Sequence, residues 1–162
     1  MIAVFTNIDE KELLQQIKSY NNIKIAVVSD YLPLISNLNL IENIELIVNY
    51  HNIGVSLHEI ENDLKKFDLL NKKFYRKDSL SMLDIFYVKY LMCKYYNAEM
   101  TIFINQFHHF SKCRNEYYNF FKENSNEKSV IIERDVYKKL LSENLIFEEM
   151  DLDVWLKNSL KI

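Results

Sequence analysis

The chain has a single glycine, Gly54, and a single proline, Pro33, among its 162 residues. Glycine-rich loops bind nucleotide phosphates because the missing Cβ lets the backbone approach the ligand closely, and such loops need several glycines. The sequence therefore excludes the two large classes of nucleotide enzyme that are built on dinucleotide-binding loops or P-loops. The turns have to come from asparagine, aspartate and serine, which are abundant here.

Composition limits the other classes. With 162 residues, of which 49% are hydrophobic, we expect one folded domain with a substantial core. A net charge of −3 argues against a strongly basic surface that coats nucleic acid. No apolar run reaches the length of a membrane span, and the first residues lack the pattern of a signal peptide. Cys93 and Cys113 have no metal-ligand spacing, so we expect buried thiols in a reducing, cytoplasmic setting without a membrane.

Strand-like and helix-like segments alternate along the chain. β-Branched runs predict strands over residues 2–6, 23–29, 100–104 and 130–132, with a weaker candidate over 53–55. Helical patterns cover residues 9–20, 56–67, 81–96, 106–123 and 136–144, a helical turn is expected over 32–37, and residues 41–48 fit either period. This alternation predicts a single α/β domain with a mostly parallel central sheet and helices on both faces.

Polar side chains follow the predicted strands or open the predicted helices. Asp30 ends the run 23–29, Asn105 and Gln106 follow the run 100–104, and Asp84 lies in the first turn of the helix over 81–96. The carboxyl ends of parallel strands and the amino ends of helices meet at one edge of a sheet, where such folds bind ligands. Carboxylates gathered there would repel one another without a cation, and their oxygens suit Mg²⁺ or Mn²⁺. Such an ion can activate water against a phosphodiester.

Three segments carry a resemblance to a known family. They are VVSDYLPLISNLNLIENIELI (27–47), HNIGVSLHEIENDL (51–64) and SLSMLDIFYVKYLMCKYYNAEMTIFINQFHHF (79–110). Together they resemble the PIN-domain nucleases, which include many bacterial toxin ribonucleases. The family pattern is a strand ending in Asp, a helix carrying an acid, Leu-Ser-x-x-Asp opening a helix, and a strand ending in Asp or Asn. Residues 80–84, LSMLD, match its third part.

The resemblance implies a PIN-like core over residues 23–110, preceded by a strand–helix extension over 1–22 and followed by helices and a strand over 111–162. It implies that Asp30 and Asp84 are catalytic acids that bind the metal, with Glu61 or Asp63 as the second acid of the catalytic set. The last acid of the pattern falls at Asn105 or Gln106. Asn105 could still be a metal ligand through its carbonyl, although neither residue is ionisable.

The function implied is a nuclease that depends on Mg²⁺ or Mn²⁺ and acts on RNA. The most basic local run would then meet phosphates, although it could equally be a solvated loop. It consists of Lys65, Lys66, Lys72, Lys73 and Arg76.

A second hypothesis belongs to another class. It is a catalytically inactive PIN-like module that binds a protein, as a regulator, an inhibitor or the partner of an antitoxin-like protein. Three observations favour it: the missing fourth acid, the net negative charge and the many aromatic residues. An oligomer is also compatible with the sequence.

Each acid also has a structural interpretation. Asp30 and Asp84 could cap a turn and a helix, and Glu61 and Asp63 could lie on a solvated helix face. Neighbouring helical residues point about 100° apart, so His108 and His109 are not expected to bind one metal together.

Overall fold

The computed structural model describes residues 1–19, 23–51 and 53–159. The chain forms two compact units, one made of Met1–Tyr31 with Glu99–Ile162 and the other of Leu32–Ala98. The end of the helix predicted over residues 9–20 lies outside the described residues. The division into an extension, a core and a C-terminal part at residues 22 and 110 stays a prediction.

The first unit contains a five-stranded sheet with the order β2-β3-β4-β1-β5. Its strands are β1 (Ile2–Phe5), β2 (Ile25–Val28), β3 (Met100–Ile104), β4 (Ser129–Glu133) and β5 (Glu148–Glu149). Every pairing in the sheet is parallel. The short apolar runs recognised in the sequence therefore form the sheet, and β1 is an interior strand between β4 and β5.

Helices make up most of the remaining structure. They are α1 (Glu10–Ser19), α2 (Leu40–Tyr50), α3 (Leu57–Lys66), α4 (Met82–Tyr96), α5 (Arg114–Asn124), α6 (Lys138–Asn144) and α7 (Leu152–Ser159). Four 3₁₀ turns lie at Leu70–Lys72, Lys77–Ser79, Phe107–Phe110 and Asp135–Tyr137. Within the described ranges, no helix is both long and apolar enough to span a bilayer.

Helices cover both faces of the sheet. On one face, alternate residues of β1, β3 and β4 pack with α1 and α7, and Trp155 of α7 is fully buried there. On the other face, Phe103 of β3 contacts the rings of Phe120 and Phe121 of α5 at centroid distances of 5.9 and 4.8 Å. The connection from β1 to β2 runs across the sheet in the opposite direction to that from β3 to β4. Right-handed crossovers therefore require opposite faces for α1 and α5. The predicted α/β class, parallel sheet and helices on both faces are confirmed.

The second unit is helical. α2, α3 and α4 enclose a core that includes Ile44, Leu64 and Leu91, all fully buried. Each of the three helices begins with a capping box, in which a side chain before the helix and an acid three residues on exchange hydrogen bonds with each other's backbone. The spacing that predicted helices starting at residues 56 and 81 is thus realised at α3 and α4.

Three local predictions are wrong. Residues 53–55 form no strand, because the N–H of Ile53 bonds to the carbonyl of Val48 and this segment closes the end of α2 instead. Residues 32–37 form an irregular segment that ends in a turn, rather than a helical turn. The helix predicted over 106–123 is broken into the 3₁₀ turn Phe107–Phe110 and α5, since aromatic spacing over one turn does not distinguish the two helix types.

Candidate functional site

A cavity of about 400 Å³ lies at the carboxyl edge of the sheet, within the first unit. Residues that follow four of the parallel strands reach it. Its lining consists of Asp9, Glu10, Asp30, Tyr31, Asn105, His108 and Arg134. This is the edge at which open α/β sheets bind ligands. Of the residues that the family resemblance assigned to catalysis or metal binding, Asp30 and Asn105 line this cavity.

Two imidazole rings face the carboxylate of Asp30. Nε2 of His109 lies 2.8 Å from Oδ1 and 3.1 Å from Oδ2 of Asp30. Nε2 of His108 lies 3.9 Å from Oδ2. The two rings lie side by side, with centroids 3.7 Å apart. The angle between neighbouring helical residues predicted that these histidines would not share a ligand. They lie in the 3₁₀ turn that follows β3, and Nε2 of both rings nevertheless faces the same carboxylate.

Glu10, the first residue of α1, forms hydrogen bonds with two of the residues that line the cavity. Its carboxylate accepts a hydrogen bond from the backbone N–H of Asp30 at 3.2 Å and one from Nδ2 of Asn105 at 3.4 Å. Burial raises the pKa of Glu10, and the nearby carboxylate of Asp30 adds to the effect. Asn105 has a left-handed backbone with φ of 50°, a conformation that asparagine adopts more readily than most residues. Its amide therefore bonds to Glu10 from a sharp turn after β3.

Glu133, the last residue of β4, fixes the start of the histidine-bearing turn. Its Oε1 accepts hydrogen bonds from the N–H groups of Gln106 and Phe107, both at 2.8 Å, and from the hydroxyl of Tyr117 at 3.2 Å. Full burial raises the pKa of Glu133 to about 8, against the effect of these hydrogen bonds. Sequence reasoning missed this residue. The sequence feature that could have identified it is an acid at the end of the apolar run of β4, next to Arg134.

Asp84 lies in the second unit and has a lysine partner. Nζ of Lys72 donates to both carboxylate oxygens, at 2.8 and 2.9 Å, and the backbone N–H of Ser81 donates at 2.9 Å. Burial raises the pKa of Asp84, but the bonds from Lys72 and Ser81 outweigh it, so the net pKa is lowered. The carboxylate caps α4 and forms an ion pair.

Asp63 and Glu61, on α3 in the same unit, are also paired with lysines. Asp63 accepts hydrogen bonds from Lys66 at 2.7 Å, from Lys94, and from the hydroxyl of Tyr95 at 2.7 Å. Burial raises the pKa of Asp63, but these three donors lower it overall to about 2. Glu61 accepts a hydrogen bond from Lys73 at 2.6 Å.

The basic residues predicted to meet phosphates are therefore placed next to the predicted acids. Lys66, Lys72 and Lys73 each form an ion pair with one of them. Lys65 lies in the last turn of α3, and Arg76 forms an isolated backbone bridge with Asn39. The structure brings Asp30 together with Asn105 and two histidines in the first unit, and brings the other acids together with lysines in the second.

No family model matches the chain, and no curated protein matches it. Solved structures do match it in fold. One, the ATP binding subunit of an ABC transporter, has a TM-score of 0.61 at 10% identity, covering 88% of this chain and 71% of that one. Another is a transporter assigned to the metal-chelate ABC type in an inward-facing conformation, with a TM-score of 0.58 at 11% identity. This chain is covered over 82% of its length and spans 62% of that one. At these identities the likeness describes the fold alone.

Proposed function

We propose that the chain is a non-catalytic, cytoplasmic α/β module that works by binding a partner protein. The observation that carries this proposal is a loop over residues 72–76 of the second unit, called here the aromatic loop. It exposes two rings, with Phe74 70% and Tyr75 48% accessible to solvent. Aromatic residues held on a fixed backbone are favoured contact points in interfaces, because they bury much surface at little cost in conformational entropy.

Backbone hydrogen bonds attach the aromatic loop to the start of α2. The carbonyl of Lys73 accepts a bond from the N–H of Ile41 at 3.0 Å, and the carbonyl of Tyr75 accepts one from the N–H of Leu40 at 2.9 Å. These bonds satisfy two of the amides that a helix leaves without an internal partner at its amino end. The loop and the helix start therefore hold each other in place.

Ion pairs attach the same loop to α3 and α4. Lys72 binds Asp84, at the start of α4, and Lys73 binds Glu61 on α3. Nζ of Lys73 also lies 4.9 Å from the centroid of the Phe74 ring. Two acids and two lysines that the nuclease hypothesis assigned to metal and phosphate therefore form ion pairs that hold this loop, which supports a binding role for this unit.

The connection between β1 and α1 argues against the use of ATP. Binding of ATP by a P-loop needs glycines, a lysine and a serine or threonine between the strand and the helix. Here that connection consists of residues 6–9, Thr-Asn-Ile-Asp, followed by Glu10. It has no glycine, and the carboxylates of Asp9 and Glu10 line the cavity, where they would repel a triphosphate.

The class of partner that we propose is a subunit of a membrane transporter. This choice rests on analogy of fold, since the solved structures named above are parts of ABC transporters. A module with that fold and without a phosphate loop could assemble with transporter subunits without hydrolysing ATP. The aromatic loop would supply the contact.

Affinity capture with matched baits tests the proposal. Wild-type protein, the variant Phe74→Ser/Tyr75→Ser and the control Val136→Ser would be immobilised and exposed to extract from cells of the source organism, and retained proteins would be quantified by mass spectrometry. Val136 is as exposed as Phe74 but lies in the first unit. We expect a transporter subunit to be retained by the wild type and the control and to be reduced at least tenfold by the double variant. Equal retention by all three baits would contradict the role of the loop.

A metal-dependent nuclease acting on RNA is the second candidate. One observation favours it: Asp30 lines a cavity at the carboxyl edge of the sheet beside Asn105 and His108. Cleavage of RNA that requires Mg²⁺ or Mn²⁺ and is lost in Asp30→Asn would favour the nuclease. Intact RNA under the same conditions is the result that the binding module predicts.

A further inference from the structure

We infer that Asp30, His108 and His109 form a binding site for one transition-metal ion of the zinc class. Each residue offers one ligand atom, and these atoms lie within 4.8 Å of one another. The inference does not rest on the proposed function, because it concerns the first unit alone.

The spacing of the three donors is close to what a small ion requires. Tetrahedral zinc with bonds of about 2.0–2.1 Å keeps its ligand atoms about 3.4 Å apart. Measured to one carboxylate oxygen, Oδ2 of Asp30, the distances are 3.1 Å from Nε2 of His109 and 3.9 Å from Nε2 of His108. They bracket that value, and all three ligand atoms lie within 4.8 Å of one another, so rotation of the side chains can bring the donors around one ion.

The donor types select the class of metal. Two imidazole nitrogens and one carboxylate oxygen suit Zn²⁺, Co²⁺ or Ni²⁺, whereas Mg²⁺ prefers oxygen ligands alone. The predicted preference for Mg²⁺ or Mn²⁺ rested on a set of carboxylates, and the two histidines change the chemistry of the site. Three protein ligands leave a fourth position for water or a small anion, which is the arrangement of an open zinc site.

The surroundings favour a cation and hold the ligands in place. Asp9 and Glu10 line the same cavity, with Arg134 as its one lining residue of permanent positive charge in the described chain. Glu10 accepts a hydrogen bond from the backbone N–H of Asp30 and another from the side-chain amide of Asn105. Partners of this kind orient metal ligands and increase affinity.

Calorimetric titration of Zn²⁺ into the full chain, prepared without an affinity tag, tests the inference. We expect one ion per chain, with affinity reduced at least about 100-fold in His109→Ala and in His108→Ala. His58→Ala and Cys113→Ser serve as controls that should bind like the wild type. Co²⁺ gives a second readout, since the wild type should show the visible absorption of a tetrahedral complex and the two histidine variants should not.

Further outcomes would overturn the inference. Weak binding of Zn²⁺ that is unchanged in both histidine variants would mean that Asp30 and His109 form an ordinary hydrogen bond and nothing more. Binding of Mg²⁺ or Mn²⁺ that displaces Zn²⁺ at equal concentration would refute the metal class. Thermal unfolding of each variant without metal establishes that it is folded, and His109→Gln replaces His109→Ala if that variant is not.

Discussion

Nζ of Lys72 lies 2.8 and 2.9 Å from the two carboxylate oxygens of Asp84, so this lysine neutralises an acid that caps α4. The side chain of Asp84 is 9% exposed and that of Lys72 is 38% exposed. Removing the lysine leaves a largely buried charge with fewer partners, although solvent reduces the penalty. We expect Lys72→Met to lower the free energy of unfolding by about 1–2 kcal/mol in urea titrations.

Lys65→Met is the matched control for that experiment. Lys65 lies near the end of α3, and its replacement should change the free energy of unfolding by less than about 0.5 kcal/mol. If the two variants were equally stable and both bound RNA more weakly than the wild type, the lysines would have a role on nucleic acid rather than in the fold.

Asp63 gives a prediction for acidic conditions. Its folded pKa is lowered to about 2 from an ordinary value of 3.8. A lowered pKa means that the carboxylate stabilises the fold above pH 4 and that this contribution is lost as the pH falls toward 2. Asp63→Asn should therefore be less stable than the wild type at pH 7, and the difference should shrink between pH 4 and 2. Parallel unfolding profiles over this range would contradict the ion pairs with Lys66 and Lys94.

Glu133 gives the opposite dependence. Its folded pKa is raised to about 8 from 4.5, so the stability that it contributes is complete below pH 4.5 and is lost as the pH rises toward 8. In that range, this group alone lowers the free energy of unfolding by up to about 1.4 kcal/mol for each pH unit. Glu133→Gln keeps a hydrogen-bond acceptor for Gln106 and Phe107 and removes the charge. We expect the variant to lose this slope in urea unfolding measured from pH 5 to 8, whereas an unchanged slope would show that Glu133 is ionised in the fold.

ATP should not stabilise the protein. A ligand that binds only the folded state at a hundredfold excess over its dissociation constant adds about 2.7 kcal/mol to the free energy of unfolding. Because the connection between β1 and α1 has no glycine and ends in Asp9 and Glu10, we expect no shift of the melting temperature in millimolar MgATP. A saturable shift would show that the folded protein binds nucleotides without a P-loop.

The sheet could be predicted because its signal is local. β2, β3 and β4 are runs of β-branched and aromatic residues, and their burial on both faces produces such runs directly. Residues 53–55 have a similar composition around Gly54, but they bond back to α2 instead of entering a sheet. Composition does not reveal which partner a three-residue segment will find.

The candidate site could be predicted only in part, because its contacts are long-range. The position of Asp30 at the end of β2 follows from its strand. Its neighbour His109 is 79 residues away, and the turn that aims His109 depends on Glu133, a further 24 residues along the chain. The pairing of Asp84 with Lys72 could not be predicted from the sequence either. An acid three residues after Ser81 fits both a helix cap and a metal ligand, and neither interpretation indicates a lysine partner.

The position of β1 between β4 and β5 has a consequence for biosynthesis. β1 is synthesised before the other four strands of this sheet, and both of its sheet partners follow much later, at residues 129–133 and 148–149. Until those residues emerge, β1 exposes its backbone groups on both sides and can pair with other nascent chains. The second unit is continuous in sequence, Leu32–Ala98, and can fold during that interval. Translation that stalls after residue 98 would leave a formed helical unit attached to strands without neighbours, a substrate for chaperones.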